Sequence, residues 1–222
     1  PTDPNETIMS KALTNGLQVH LKFDETNGTT AFDSSGNNRY AELHGVDGNG
    51  STWVNGKIGG ALQLDGVDDW GTVPFTIGRN STVSFWINTN DQFSNTGTGF
   101  NQSKTIIGGS EMLGIMFNDR KFRYYSIGPG GPNVAAKVIS PTSITEDLWW
   151  HCSGVIESGD FKLYINGNYN SGVLGKSFND VGSPLFLAKN DTTLFLKAYL
   201  DDLRIYDRVL SASEIQSVYN SR

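Results

Sequence analysis

Two adjacent carboxylates interrupt a strand-forming run, AYLDDLRIYDR, at residues 198–208. Side chains on a strand alternate between its two faces, so this pattern sets Asp201 with Leu203 and Ile205, and Asp202 with Leu200, Arg204 and Tyr206. Apolar residues stand on both sides, and at least one of the acids approaches a core. A buried carboxylate without compensation costs several kcal/mol at least, so a cation, a salt bridge or a cluster of N–H donors has to face it. The single cysteine, Cys152 in WWHCSGVIES, reads as a small buried apolar side chain, because the adjacent His151 points to the opposite face of the same strand and cannot serve it as a base. With one cysteine no disulfide forms within the chain.

The elements that position these groups read as strands. The chain has 222 residues, only 18% of them charged, and is rich in Gly, Asn, Ser and Thr, a balance suited to many short strands and tight turns. Residues 1–16, polar and holding two prolines, read as a leader or interdomain linker, and the folded domain is expected over 17–222. From Leu17 the apolar residues Leu17, Val19, Leu21 and Phe23 alternate with polar ones, and similar strands follow at GALQLDG, GTVPFTI, STVSFWINT, KTIIGG, MLGIMFN, KFRYYSI, FKLYINGN and SPLFLAK. Asn166-Gly167 is the dipeptide favoured in a type I′ hairpin, and FNDRKF separates another pair. One short helix is expected at the C terminus, where Ser211 and Glu214 form a capping box and Leu210 can staple onto Ile215. Ten or more short strands closing on one helix describe a β-sandwich or jelly roll.

The net charge of −6, with no run of basic residues, argues against nucleic acid as a partner. No stretch reaches the roughly 18 apolar residues of a membrane span, and there is no signal peptide; a soluble piece excised from a longer chain is expected.

Taken in order, LQVHLKFDETNGTTAFDSSGNNRYAELHG, VNGKIGGALQLDGVDDWGTVP, STVSFWINT, LWWHCSGVIESGDFKLYINGN and YLDDLRIYDRVLSASEI resemble the laminin G-like, concanavalin A-like jelly-roll superfamily, in its bacterial and pentraxin-related branch. The resemblance runs from about Leu17 to Tyr219 and implies an all-β sandwich of two curved antiparallel sheets. It implies binding more than catalysis: carbohydrate-binding or adhesive modules attached to secreted enzymes and cell-surface proteins.

The resemblance also implies a structural calcium that ties an early loop to the last strand. That loop is FDSSGNNR, where Asp33 offers a carboxylate, Gly36 a sharp turn, and Asn37 and Asn38 amide oxygens, with Asp201 or Asp202 completing the set. The alternative is an ordinary Asx turn over Asp33 to Asn38, with Asp202 paired to Arg204 or Arg208 on the surface. A third acidic group, Asp65, Asp68 and Asp69, fits a solvated turn equally well.

The same sandwich hosts hydrolases and lyases. A retaining hydrolase wants acids alternating along one strand, about 5 to 5.5 Å apart across the scissile bond, and no E-x-D-x-x-E run exists here. Glu25, Glu111, Glu146 and Glu157 fall at strand ends or turns, and His20, His44 and His151 stand outside any lyase pattern, so no enzyme is expected. Sugar binding asks for exposed rings and polar groups. The candidates are Trp149, Tyr124 and Tyr125 (adjacent, so one faces outward), Trp70 and Trp53, while Trp86 and Trp150 match positions that are aromatic in the family and read as structural. The expectation is a non-catalytic, extracellular carbohydrate-binding module with a structural calcium, its partners a polysaccharide or glycan and other domains of the parent chain. The rival is a protein-binding or spacer domain of the same fold.

Overall fold

The computed structural model describes residues 13–48, 52–91, 104–109, 113–118, 120–127, 134–173, 184–189 and 194–221. Among them run the strands β1 (Leu17–Leu21), β2 (Thr30–Ala31), β3 (Ala41–His44), β4 (Trp53–Asn55), β5 (Gly60–Asp65), β6 (Trp70–Val73), β7 (Asn80–Asn88) and β8 (Lys104–Gly109). They continue as β9 (Leu113–Asn118), β10 (Lys121–Ile127), β11 (Val134–Ile139), β12 (Trp150–Glu157), β13 (Asp160–Ile165), β14 (Asn168–Val173), β15 (Leu185–Leu187) and β16 (Lys197–Tyr206), followed by helix α1 (Ala212–Asn220). Two eight-stranded sheets result. The first has the order β14-β13-β12-β7-β16-β5-β4, with β1 also paired to β16; the second has the order β11-β10-β9-β8-β15-β6-β3-β2.

Every pairing in the named strands is antiparallel, and the alternation read from the sequence delivers one side chain in two to the space between the sheets. Val83, Phe85 and Ile87 of β7 and Cys152 and Ile156 of β12 meet Phe122, Tyr124, Leu185 and Leu187 of the opposite sheet in one buried cluster. Rings bridge the layers: Phe85 lies 6.5 Å from Phe122 and Tyr124 5.0 Å from Phe161, both edge-on. His151 faces away from Cys152, onto the outer side of the first sheet.

Helix α1 covers that outer side. Ile215 and Val218 are fully buried with Leu210, Tyr206, Tyr164 and Val155, and both halves of the capping box form, Glu214 N–H donating to Ser211 Oγ and Ser211 N–H to Glu214 Oε2. The Asn166-Gly167 turn joins β13 to β14 with both residues at positive φ, 48° and 77°, as a type I′ turn requires. Leu13 also packs under this second cluster, and Gly16 accepts a hydrogen bond from Asp207 N–H.

Strand β16 changes partner part-way along. Lys197–Leu200 pair with β5, whereas Leu203–Tyr206 pair with β1, and β7 lines the other edge throughout. At the fork the register with β7 slips: Asp201 stands opposite Trp86, but Arg204 opposite Ser84, so three steps on β16 answer two on β7. The extra residue is Asp202, at φ 48°. This bulge corrects the strict alternation read from sequence. Leu200, Leu203 and Ile205 are all in the core, while Asp201, Arg204 and Tyr206 share the outer face.

Candidate functional site

The fork explains the paired acids. Asp202 Oδ1 accepts from His20 Nε2 at 2.7 Å and from Arg204 Nε at 3.1 Å, and Arg204 Nη2 lies 3.0 Å from Oδ2. Burial pushes the Asp202 carboxyl up, but the hydrogen bond from His20 and the Arg204 guanidinium outweigh it and hold it below the usual carboxylate range. Asp201, with no exposed surface, turns to the β4–β5 connection, where its Oδ2 accepts from Ile58 N–H at 2.7 Å. Burial, offset only in part by that donor, lifts its carboxyl to about 7.

The predicted calcium ligands do not gather. Asp33 Oδ1 accepts from the N–H of His20 and of Ser35, at 2.9 and 2.8 Å, and Oδ2 from Ser35 Oγ and Arg39 N–H, at 2.8 and 3.0 Å. Burial raises its pKa, but these donors win and lower it. Asn38 Oδ1 accepts from Tyr40 Oη, and Gly36 is exposed in the turn at φ 90°. A cation needs lone pairs, and the carboxylates of Asp33 and Asp202 face N–H and O–H groups instead, so Asp33, Gly36, Asn38, Asp201 and Asp202 do not fit calcium as one set. Asp33 instead closes its own turn and Asp202 pairs with Arg204, but that pair is buried under the helix rather than set on the surface. Among the described residues the acidic group that does gather is Asp65, Asp68 and Asp69, with carboxylate oxygens within 4.8 Å of one another. Burial and the neighbouring Asp65 and Asp68 carboxylates outweigh the Asp65 N–H and raise Asp69 to about 6, and this donor set suits a hard divalent ion.

The predicted sugar-stacking rings disperse. Tyr124 is 1% exposed and belongs to the core, so it is not the outward member of its pair; Tyr125 pairs with Gly114 and Lys137 in the backbone ladder, its side chain lying outside the described part. Trp53 is folded inward opposite Leu62, its Nε1–H donating to Gly28 O. Trp70 stacks on His44 at 4.1 Å and carries the Lys189 ammonium at 4.0 Å. His44 and Lys189 thus flank this ring. Trp149 is half-buried just before β12.

The geometry favours another place. The β4–β5 connection, Asn55–Gly60, closes on Gly56 N–H donating to Gly59 O and is pinned by Asp201 at Ile58 and by Asp24 Oδ1 accepting from Gly60 N–H at 2.7 Å. A pocket opens on each flank. One, about 540 Å³, is lined by Asp24, Glu25, Thr26, Trp53, Val54, Asn55, Gly59 and Gly60. The other, about 560 Å³, lies toward the end of α1 and is lined by Lys57, Ile58, Gly59, Trp86, Tyr219, Asn220 and Ser221. Of the candidate rings Trp53 lines the first of them; the sequence reading otherwise missed both, since they join segments far apart in the chain, and the one local signal was the NGKIGG turn.

Under the helix, Ser84 Oγ lies 2.8 Å from His151 Nε2, and Ser153 Oγ donates to Ser84 Oγ. Burial drops His151 to about 3, and Trp86 and Tyr219 pack edge-on against it. This is a sealed polar row with neither access nor a useful base.

A family model described as the concanavalin A-like lectin/glucanases superfamily matches residues 65–216. The chain belongs to that superfamily. Domain 4 of AbnA, a GH43 extracellular arabinanase from Geobacillus stearothermophilus, solved in complex with arabinotriose, superposes with a TM-score of 0.69 at 23% identity, covering 92% of this chain and 98% of that one. The binding domain of Paraclostridial Mosquitocidal Protein 1 gives 0.71 at 21% identity, covering 94% of this chain and 52% of its own. The binding domain of botulinum neurotoxin serotype D gives 0.68 at 19%, covering 94% and 52%. The chain thus spans nearly all of the arabinanase domain and about half of each toxin domain, and at these identities the likeness within the superfamily is one of fold. No curated protein sequence matches it. No helix among the described residues is long and apolar enough to cross a membrane.

Proposed function

We propose that this chain is a non-catalytic carbohydrate-binding module of a larger secreted or cell-surface protein, and that it holds glycan hydroxyls in the pocket between Asp24–Thr26 and the β4–β5 turn. The observation that carries the reading is the chemistry of that pocket. The Asp24 and Glu25 carboxylates and the Asn55 amide line a space of about 540 Å³ whose far wall is glycine backbone, and Glu25 Oε2 is buried and meets no donor among the described residues. Acceptors in excess, with close backbone approach, suit a ligand made of hydroxyl groups. The arabinanase domain solved with arabinotriose supports this choice of ligand. A non-catalytic role is supported by the placement of the perturbed groups, since Asp201, Asp202 and His151 are 0%, 4% and 1% exposed and each is engaged in holding the fold. Calcium enters the proposal only at Asp65, Asp68 and Asp69, and its test is a rise in melting temperature on adding the ion that Asp68→Asn removes.

Titration calorimetry against a panel of plant and bacterial oligosaccharides tests the reading. Binding of at least one of them, weakened about tenfold or more by Asn55→Ala, supports it; no binding to any sugar overturns it. One observation favours the second reading, a protein-binding domain: Phe32 and Tyr40 are 58% and 42% exposed and pack edge-on at 5.6 Å beside β2 and β3.

A further inference from the structure

The two pockets beside the β4–β5 turn share Gly59 but carry opposite charge. Among the described residues Asp24 and Glu25 line one, with no cation, whereas Lys57 is the charged residue lining the other, with no carboxylate. Behind the second pocket Asp202 is matched by Arg204 and His20, and Asp201 is wholly buried, its Oδ2 held by the Ile58 N–H and its Oδ1 meeting no donor among the described residues. Among the described residues the exposed charge at the mouth is that of Lys57, which sits 5.1 Å above the Trp86 ring.

The Lys57 ammonium is joined here by other groups that can donate. Trp86 stacks with Tyr219 at 5.4 Å and 27°, so the indole is fixed, and its Nε1–H is buried and meets no acceptor among the described residues. Asn220 adds an exposed amide at the rim. An exposed ammonium and an exposed amide lining a space of about 560 Å³, beside an indole held by Tyr219, suit a carboxylate or sulfate ester rather than a neutral hydroxyl cluster.

Resting on the glycan-binding reading, the geometry points to an acidic glycan as the ligand: a neutral residue lies in the Asp24, Glu25 and Asn55 pocket, and the adjoining anionic residue crosses Gly59 to Lys57, Trp86 and Tyr219. Glycine at the crossing is what allows this, since a side chain on that ridge would stand between the two subsites. The opposite charges also fix which end of the chain enters which pocket.

The test compares charged ligands with uncharged twins: a xylo-oligosaccharide carrying one glucuronic acid residue against its methyl ester, and a galactan oligosaccharide carrying one sulfate against its desulfated form, by calorimetry at two salt concentrations. At least one charged ligand is expected to bind about five- to tenfold tighter than its twin, an advantage that shrinks with salt and that Lys57→Gln abolishes. Which pair shows it tells carboxylate from sulfate. Equal affinity within both pairs, or an advantage that survives Lys57→Gln, overturns the inference. If Asn55→Ala still weakens binding in that case, the glycan-binding reading stands without it; if no member of either pair, and no other glycan, binds at all, both fall.

Discussion

His20 Nε2 and Asp202 Oδ1 meet at 2.7 Å across 182 positions of sequence. The contact joins β1 to β16 at the fork where β16 leaves β5, and the His20 backbone N–H holds Asp33 Oδ1 in the same neighbourhood. One histidine thus ties the early loop to the closing strand by hydrogen bonds, in the place where the sequence suggested a divalent ion.

Removing the charge of Asp202 should therefore strand two partners. Asp202→Asn leaves Arg204 beneath the helix without its counter-charge, and a broken buried pair costs about 3 kcal/mol or more. Urea denaturation measures this, and added calcium should not restore the loss. Because the folded-state pKa is depressed, the stabilisation is present above the ordinary carboxylate pKa and is lost as pH falls through the lowered value. A variant within about 0.5 kcal/mol of the parent at pH 7 would show the pair to be dispensable.

Asp201 works with the opposite sign. Its pKa is raised from 3.8 to about 7, so the folded state favours the proton; the stabilisation is full below about pH 4 and disappears as pH rises to about 7. Asp201→Asn mimics the protonated form and still offers an oxygen to Ile58 N–H. It should match the parent in acid and exceed it at pH 7.5 by on the order of 3–4 kcal/mol. Parallel melting curves across pH 4–7.5 would remove this account of the buried carboxylate.

Gly59 is the ridge between the pockets and resists a side chain. Its φ is 74°, and a Cβ would lie 2.3 Å from Asp24 Oδ1, the atom that anchors Gly60. Gly59→Ala should cost about 2 kcal/mol or more and weaken glycan binding, because Asp24 must release the turn. Unfolding and calorimetry on the same sample check both effects; full-strength binding in the variant would mean that the turn does not shape the site.

The fold was legible because its signals are local and repeated. Alternation over Val83–Ile87, Asn166-Gly167 between β13 and β14, and the Ser211–Glu214 box each encode their own geometry within a few residues. The site was not legible in the same way. Tyr124 and Tyr125 alternate, so one had to face inward, but which one depends on the packing of β10 against Phe161. The acids of β16 were misread in face because a bulge at Asp202 leaves no composition signature: aspartate adopts positive φ readily, and the partner change that produces the bulge involves β1 and β5, distant in sequence. Pocket residues such as Asp24, Asn55, Lys57 and Tyr219 are brought together only by that topology.

The last prediction concerns His151, which lies 1% exposed under Tyr219 and Trp86, with its pKa lowered to about 3 chiefly by burial. The unfolded chain binds a proton near pH 6.5 and the folded one does not, so the stabilisation from neutral His151 is present above about pH 6.5 and is lost as pH falls toward 3. This opposes the gain from Asp201 over the same range, and the two together flatten the acid limb that either alone would tilt. His151→Gln should stabilise the protein relative to the parent at pH 4.5 more than at pH 7.5, and Tyr219→Ala, by opening the outer face to water, should bring the His151 titration toward its ordinary range. Heteronuclear NMR of the imidazole follows it directly: in the parent the ring should stay neutral down to about pH 4, and titration near 6.5 would show that helix α1 does not seal this face.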